Sequence, residues 1–163
     1  MAPAQKRLAL LVAVAGSGLL TLLIAFSNIT DYATNFEFVK HVLSMDTIFE
    51  NSTVKYRSIT SDGLHHAAYV FIIVLETAMA YFFITSSIQM YLQLKGEKEQ
   101  FNASKKNAYL GVALGVILWF IGFTVVGGEW FSMWQSTDWN GLDPAGRLTT
   151  FFMLTYLALV IVD

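Results

Sequence analysis

Residues 64–94, LHHAAYVFIIVLETAMAYFFITSSIQMYLQL, decide the fold. The stretch holds a single Glu and no Asp, Lys or Arg. A helix needs about 20 apolar residues to cross a hydrocarbon layer, so this one spans a bilayer with residues to spare. Its one acid, Glu76, falls near the middle. A carboxyl group at that depth is costly in either protonation state and usually has a partner or a task. No Lys or Arg elsewhere in the chain is placed at a similar depth. Two readings follow: a neutral carboxyl hydrogen-bonded to neutral groups, or a partner on another molecule.

The rest of the chain agrees with a membrane protein. Of its 163 residues, 55% are hydrophobic and only 13% charged, about half the share usual in soluble domains. Aromatic residues make up 15%, as expected for interfacial belts around a packed bundle. A net charge of −2 gives no argument for nucleic acid, and none is expected as a partner. With no cysteine, disulfides, thiolate metal sites and Cys nucleophiles are excluded.

Four apolar spans are expected, at about 8–26, 64–94, 108–126 and 148–162, in one integral membrane domain covering 1–163. The fourth is short, since 15 residues rise about 22 Å. Either the natural chain continues past Asp163 or the last turn frays. The first span is read as an uncleaved helix. Lys6 and Arg7 form a signal-like start, but too few apolar residues precede the small-x-small triplet Ala13-Val14-Ala15. Lys6, Arg7, Lys95, Lys98, Lys105 and Lys106 fall on one side, against Lys40, Lys55, Arg57 and Arg147 on the other. Four of those lysines flank one short turn, where the positive-inside rule is strongest. The expected fold is therefore an all-α, four-transmembrane-helix bundle, N-in and C-in. A short cytoplasmic link covers 95–107.

Two unequal extracytoplasmic segments follow, 28–63 and 127–147. A 36-residue connection inside a compact fold is usually structured or functional. Thr34 to Met45 has helical spacing of Phe36, Val39, Val42 and Leu43, and the β-branched stretch from Thr53 to Thr60 reads as extended. The second segment is Trp-rich. Trp130 and Trp134, one helical turn apart, and Trp139 form either an aromatic belt at headgroup level or a partner contact, with Phe131 and Met133 adding adaptable apolar surface.

His65, Tyr69, Glu76 and Ala80 share one face of the second span, a polar stripe that suits a proton or quinone path. The plainer reading is a bundle-facing stripe satisfied by Ser17, Thr21, Trp119 or Thr155. His65 and His66 open the span and are expected to be buried polar groups near the interface. As haem ligands they would need a histidine at matching depth on another helix, and His41 is the only other one. Headgroup or loop-backbone hydrogen bonds are the preferred role. Gly111 and Gly115 have GxxxG spacing for close helix approach, and Gly16 and Gly18 offer a comparable small face on the first span. No nucleotide loop, zinc motif, nucleophile elbow or paired catalytic carboxylates occur, so no catalytic residue, metal or cofactor is expected.

Two segments carry a resemblance: Phe26-Ser-Asn-Ile-Thr-Asp-Tyr32 with Asn35 to Asp46, and Gly127-Gly-Glu-Trp-Phe-Ser-Met-Trp-Gln135 through Trp139-Asn-Gly141. With the His-containing start and Glu76 of the second span, they make the chain similar to an uncharacterised bacterial family of predicted small integral membrane proteins, classed as a domain of unknown function. The resemblance covers nearly the whole chain. It implies four helices in a bacterial inner membrane and transfers no catalytic residue. The function expected is a non-catalytic accessory subunit of a larger inner-membrane complex, a respiratory one being a candidate, in contact with lipid and with other membrane subunits or copies of itself. The alternatives are a haem- or quinone-associated redox protein using His65, His66 and the Tyr69–Glu76 face, and a small proton-coupled transporter or channel-forming oligomer using Glu76.

Overall fold

The computed structural model describes residues 3–163. It is helical, with no strand among the described residues: α1 (Pro3–Thr30), α2 (Tyr32–Ser44), α3 (Asp62–Leu92), α4 (Lys98–Ser104), α5 (Lys106–Gly115) and α6 (Leu142–Ile161). α5 continues without a break into a π-helical segment, Val116–Trp130. Four helical stretches are long and apolar enough to cross a membrane: Ala4–Thr30, Asp62–Leu92, Lys98–Trp130 and Leu142–Ile161. The apolar periphery has the same meaning. Leu19, Leu23, Phe71, Val74, Tyr81, Ile121 and Leu154 are all exposed, which suits a lipid solvent rather than water.

Several boundaries differ from the sequence expectation for clear reasons. α1 continues to Thr30, because Ser27, Asn28 and Thr30 are polar residues inside a helix and not its end. Thr30 spends its hydroxyl on the carbonyl of Phe26, one turn back. α6 begins at Leu142, six residues before the apolar span, and its 20 residues reach about 30 Å, enough to cross. Pro144 does not block this start, since the first helical turn has no intrahelical partners for its N–H groups. The stretch from Thr53 to Thr60 holds a 3₁₀ turn, Lys55–Arg57, rather than a strand. The 94–107 link contains α4, whose Phe101 is buried in the main core.

The core runs the length of the bundle. Leu10 and Val14 of α1, Met79 and Phe83 of α3, Val112 of α5 and Phe152 of α6 form one cluster. α3 packs on α1 along one side and on α5 along the other, while the π segment turns away to pack on α6. α5 approaches its neighbours closely where it has glycine. A Cβ on Gly111 would lie 3.0 Å from the Phe83 ring, and one on Gly115 would lie 2.8 Å from the ring of Phe152. Those two rings stack with centroids 5.8 Å apart.

The end of the bundle that carries α4 is closed by charge. Lys105 is 2% exposed. Its ammonium donates to Asn102 Oδ1 at 2.6 Å, to the Leu159 carbonyl at 3.1 Å and to the Val162 carbonyl, so a cation caps the last turn of α6. Arg7 pairs with Asp163 and donates to the Gly96 carbonyl at 2.7 Å. Both cations lie near the Phe101 ring, at 4.6 and 5.4 Å. The last turn of α6 is thereby tied down rather than frayed.

Candidate functional site

The opposite end is closed by α2 and by residues 131–141. α2 buries Phe36 and Val39 against Tyr69 of α3 and leaves Glu37 and Lys40 on its other side, so it lies over the bundle as an amphipathic roof. It stops at Met45, which adopts the left-handed conformation (φ 53°) and bonds back to His41 and Val42. The following loop returns underneath, where the Ile59 N–H meets the Leu43 carbonyl at 2.8 Å.

Glu76 faces protein and is 1% exposed. Its partner is Asn28, whose amide donates to Oε2 at 2.7 Å. The Tyr69 hydroxyl donates to the Asn28 backbone carbonyl at 3.0 Å. One residue of α1 therefore ties two of the three polar groups in the α3 stripe. A neutral partner is one of the two readings the sequence leaves open, but Asn28 is not among the candidates named for it. Ser17, Thr21 and Thr155 instead bond to carbonyls of their own helices, three or four residues back. Asn28 escaped notice because it lay beyond the apolar run. A polar amide within the last turn of a membrane helix was the signal for it.

Glu76 stands level with Asn28, in the last turn of α1 and past the apolar run that ends at Phe26. α3 has 31 residues, and its first turns pack against α2 at the capped end.

The two histidines part company. His65 is 1% exposed, with Nε2 held 2.7 Å from the Ile59 carbonyl. A carbonyl only accepts, so Nε2 carries the proton, and Nδ1 is left buried without a hydrogen-bond partner. His66 is exposed, contrary to the expectation of burial, because one residue turns 100° around the helix. It shares a 2.8 Å hydrogen bond with Tyr32 and stacks on Phe36 at 4.1 Å. His41 is engaged elsewhere, with Asp46 at 2.8 Å and stacked on Trp139 at 4.5 Å. Among the described residues, no group of three His, Asp or Glu side chains converges on a metal position.

The Trp-rich segment is not a continuous helix. Ser132 takes the left-handed conformation (φ 54°) and breaks the chain direction between Trp130 and Trp134. This corrects their reading as neighbours on one helical turn. Phe131 and Met133 are 5% and 2% exposed, so they fill the cap instead of offering partner surface. Trp130 and Trp134 remain half exposed. The Arg57 guanidinium lies 4.7 Å over the Trp130 ring, and Trp134 meets Phe49 edge-on at 5.9 Å. Of the four glycines singled out, Gly111, Gly115 and Gly18 sit at close contacts, whereas Gly16 has nothing within 4 Å and lies exposed on α1.

Between α3 and the π segment, under α2, lies a cavity of about 310 Å³. Ala68, Ile72 and Leu75 form one wall, Leu118 and Gly122 the other, and Val39 and Leu43 the roof. The π geometry (the Phe131 N–H reaches five residues back, to Val126) carries this wall away from α3. Neither Glu76 nor either histidine lines the cavity.

A family model described as "Predicted small integral membrane protein (DUF2165)" matches residues 6–162. The chain belongs to this family. A search of curated proteins and one of solved structures give no match. DUF2165 membership and the four membrane-length helices together make the chain an integral membrane protein in contact with a lipid bilayer.

Proposed function

We propose that this DUF2165 protein is a non-catalytic accessory subunit of a larger complex in the bacterial inner membrane, with both termini on the cytoplasmic side. The observation that supports it best is where the buried polar groups go. Glu76 and Tyr69 are joined to Asn28, His65 to Ile59, Ser86 to the Ser104 carbonyl and Lys105 to the end of α6. Apart from the His65–Ile59 bond, which ties α3 to the loop before it, these are joints between helices, and the cavity beside them is walled by apolar side chains. Such a chain is built to hold a shape. The exposed Trp134–Phe49 pair on the rigid cap gives a partner subunit an aromatic anchor of the kind that dominates interfaces.

The test is gentle extraction from native membranes, native electrophoresis, and mass spectrometry of the band. A companion chain in fixed ratio, lost with Trp134→Ala, is the expected result. A lone, monodisperse band under the mildest conditions overturns the proposal.

A second reading has one observation in its favour: a carboxyl that is 1% exposed, on a membrane-length helix and in one hydrogen-bonded cluster with an amide and a phenol. That is a plausible proton station for a small proton-coupled transporter or channel-forming oligomer. Proton flux in vesicles that is lost with Glu76→Gln would establish it over the accessory role. A redox role for His65, His66 and the Tyr69–Glu76 face has less support, since each of these groups is already held by a protein partner.

A further inference from the structure

We propose that the cavity between α3 and the π segment, together with Arg57, is a binding site for one anionic phospholipid. The cavity takes an acyl chain and the guanidinium takes the phosphate.

Three observations converge. First, the cavity opens sideways, and its surroundings set the solvent. Phe71 on α3 and Ile117, Ile121 and Val126 on the π segment line it and are also among the exposed apolar residues. The mouth therefore faces hydrocarbon, and a chain entering it exchanges one apolar surface for another. At about 310 Å³ the volume lies at the small end of ligand pockets, a size suited to a chain segment rather than a ring system with polar substituents. A quinone head would need hydrogen-bond donors that these walls lack.

Second, the cavity has a cationic neighbour at its capped end. Phe131 lines the cavity, and Arg57 Nη1 donates to the carbonyl of the preceding residue, Trp130, at 3.2 Å. The guanidinium is further fixed by the Trp130 ring and by the Tyr56 ring at 5.5 Å. It is thus oriented within a residue of the pocket wall.

Third, that cation has no acidic partner. The ion pairs among the described residues join Arg7, Lys40, His41 and His65 to acids, and none includes Arg57. A planar guanidinium within 5.5 Å of two aromatic rings, with donors to spare, matches the geometry of a phosphate. Aromatic side chains at headgroup level complete the setting. An apolar slot below and an unpaired cation above fit the two parts of one anionic lipid.

The experiment is native mass spectrometry of the full chain, released from a mild detergent after incubation with phosphatidylglycerol or phosphatidylcholine bearing the same acyl chains. Wild type should retain one phosphatidylglycerol per chain, preferred over phosphatidylcholine by about tenfold. Arg57→Ala should abolish the preference while one lipid of either kind still binds, and Arg57→Lys should keep part of it. Ala68→Phe, which fills the slot, should reduce retention of both lipids. Ile121→Trp narrows the mouth from an exposed position that does not support the fold, so it should do the same even where Ala68→Phe fails to fold. The proposal is overturned by wild type that retains no lipid in fixed ratio, by equal retention of both lipids, by retention unchanged in Ile121→Trp, or by ubiquinone displacing the lipid at equal concentration.

Discussion

One continuous helical rod, α5 and its π extension, meets its neighbours α3 and α6 in two opposite ways. Along α5, glycines bring the backbones together until the rings of Phe83 and Phe152 rest on Gly111 and Gly115. Past Val116 the same rod leaves α3, and a cavity opens where Gly122 has only its own helix nearby, the Ile117 carbonyl at 3.6 Å and a Leu118 methyl at 3.9 Å. A glycine in a membrane helix is thus no sign of close packing on its own. Its meaning comes from whether a large side chain faces it. In lipid, where burial of apolar surface drives little, the close half is held by van der Waals fit. The open half is roofed by α2, and at that level α3 is tied to α1 by the polar joint at Asn28.

The comparison can be broken most severely at Gly115. Gly115→Leu should cost about 3 kcal/mol, because the Phe152 ring already blocks a Cβ there. Thermal unfolding in detergent or steric trapping in bicelles should show the loss. Next comes the joint between α1 and α3, beside the open half. Asn28→Ala removes the only side-chain donor on Glu76 among the described residues and should destabilise by about 2 kcal/mol. Glu76→Gln retains an acceptor for the same amide and should stay within about 0.5 kcal/mol of wild type in the same assay. Glu76→Gln as damaging as Asn28→Ala would show that the joint depends on the carboxylate itself. The smallest effect is expected at Gly122, where alanine fits and reduces the freedom of the unfolded chain. A gain of about 0.5 kcal/mol is expected, opposite in sign to Gly115.

The sequence revealed the membrane helices through their apolar runs, and α2 through the helical spacing of Phe36, Val39, Val42 and Leu43. It also marked Gly111 and Gly115, since the small-residue spacing repeats with the helix. Other features left no such trace. Val116 to Val126 is apolar but for Thr124, so its pattern does not report whether the turn closes at four residues or five. Lys105 reads as one more loop lysine, and only the folded chain shows it buried at the end of α6. Asp143 and Arg147 make the start of α6 read as loop, because charge marks the end of an apolar span and equally the entry of a helix into it. Phe131 and Met133 looked like surface until the left-handed turn at Ser132 aimed them inward.

Asn28 is wired twice, once through its side chain and once through its backbone. Every amino acid placed at position 28 still presents a carbonyl to Tyr69. A screen that varies this position edits one of the two connections and leaves the other in service. Half of the joint between α1 and α3 is therefore silent to substitution from the α1 side, and it answers only to a change in its donor, Tyr69→Phe.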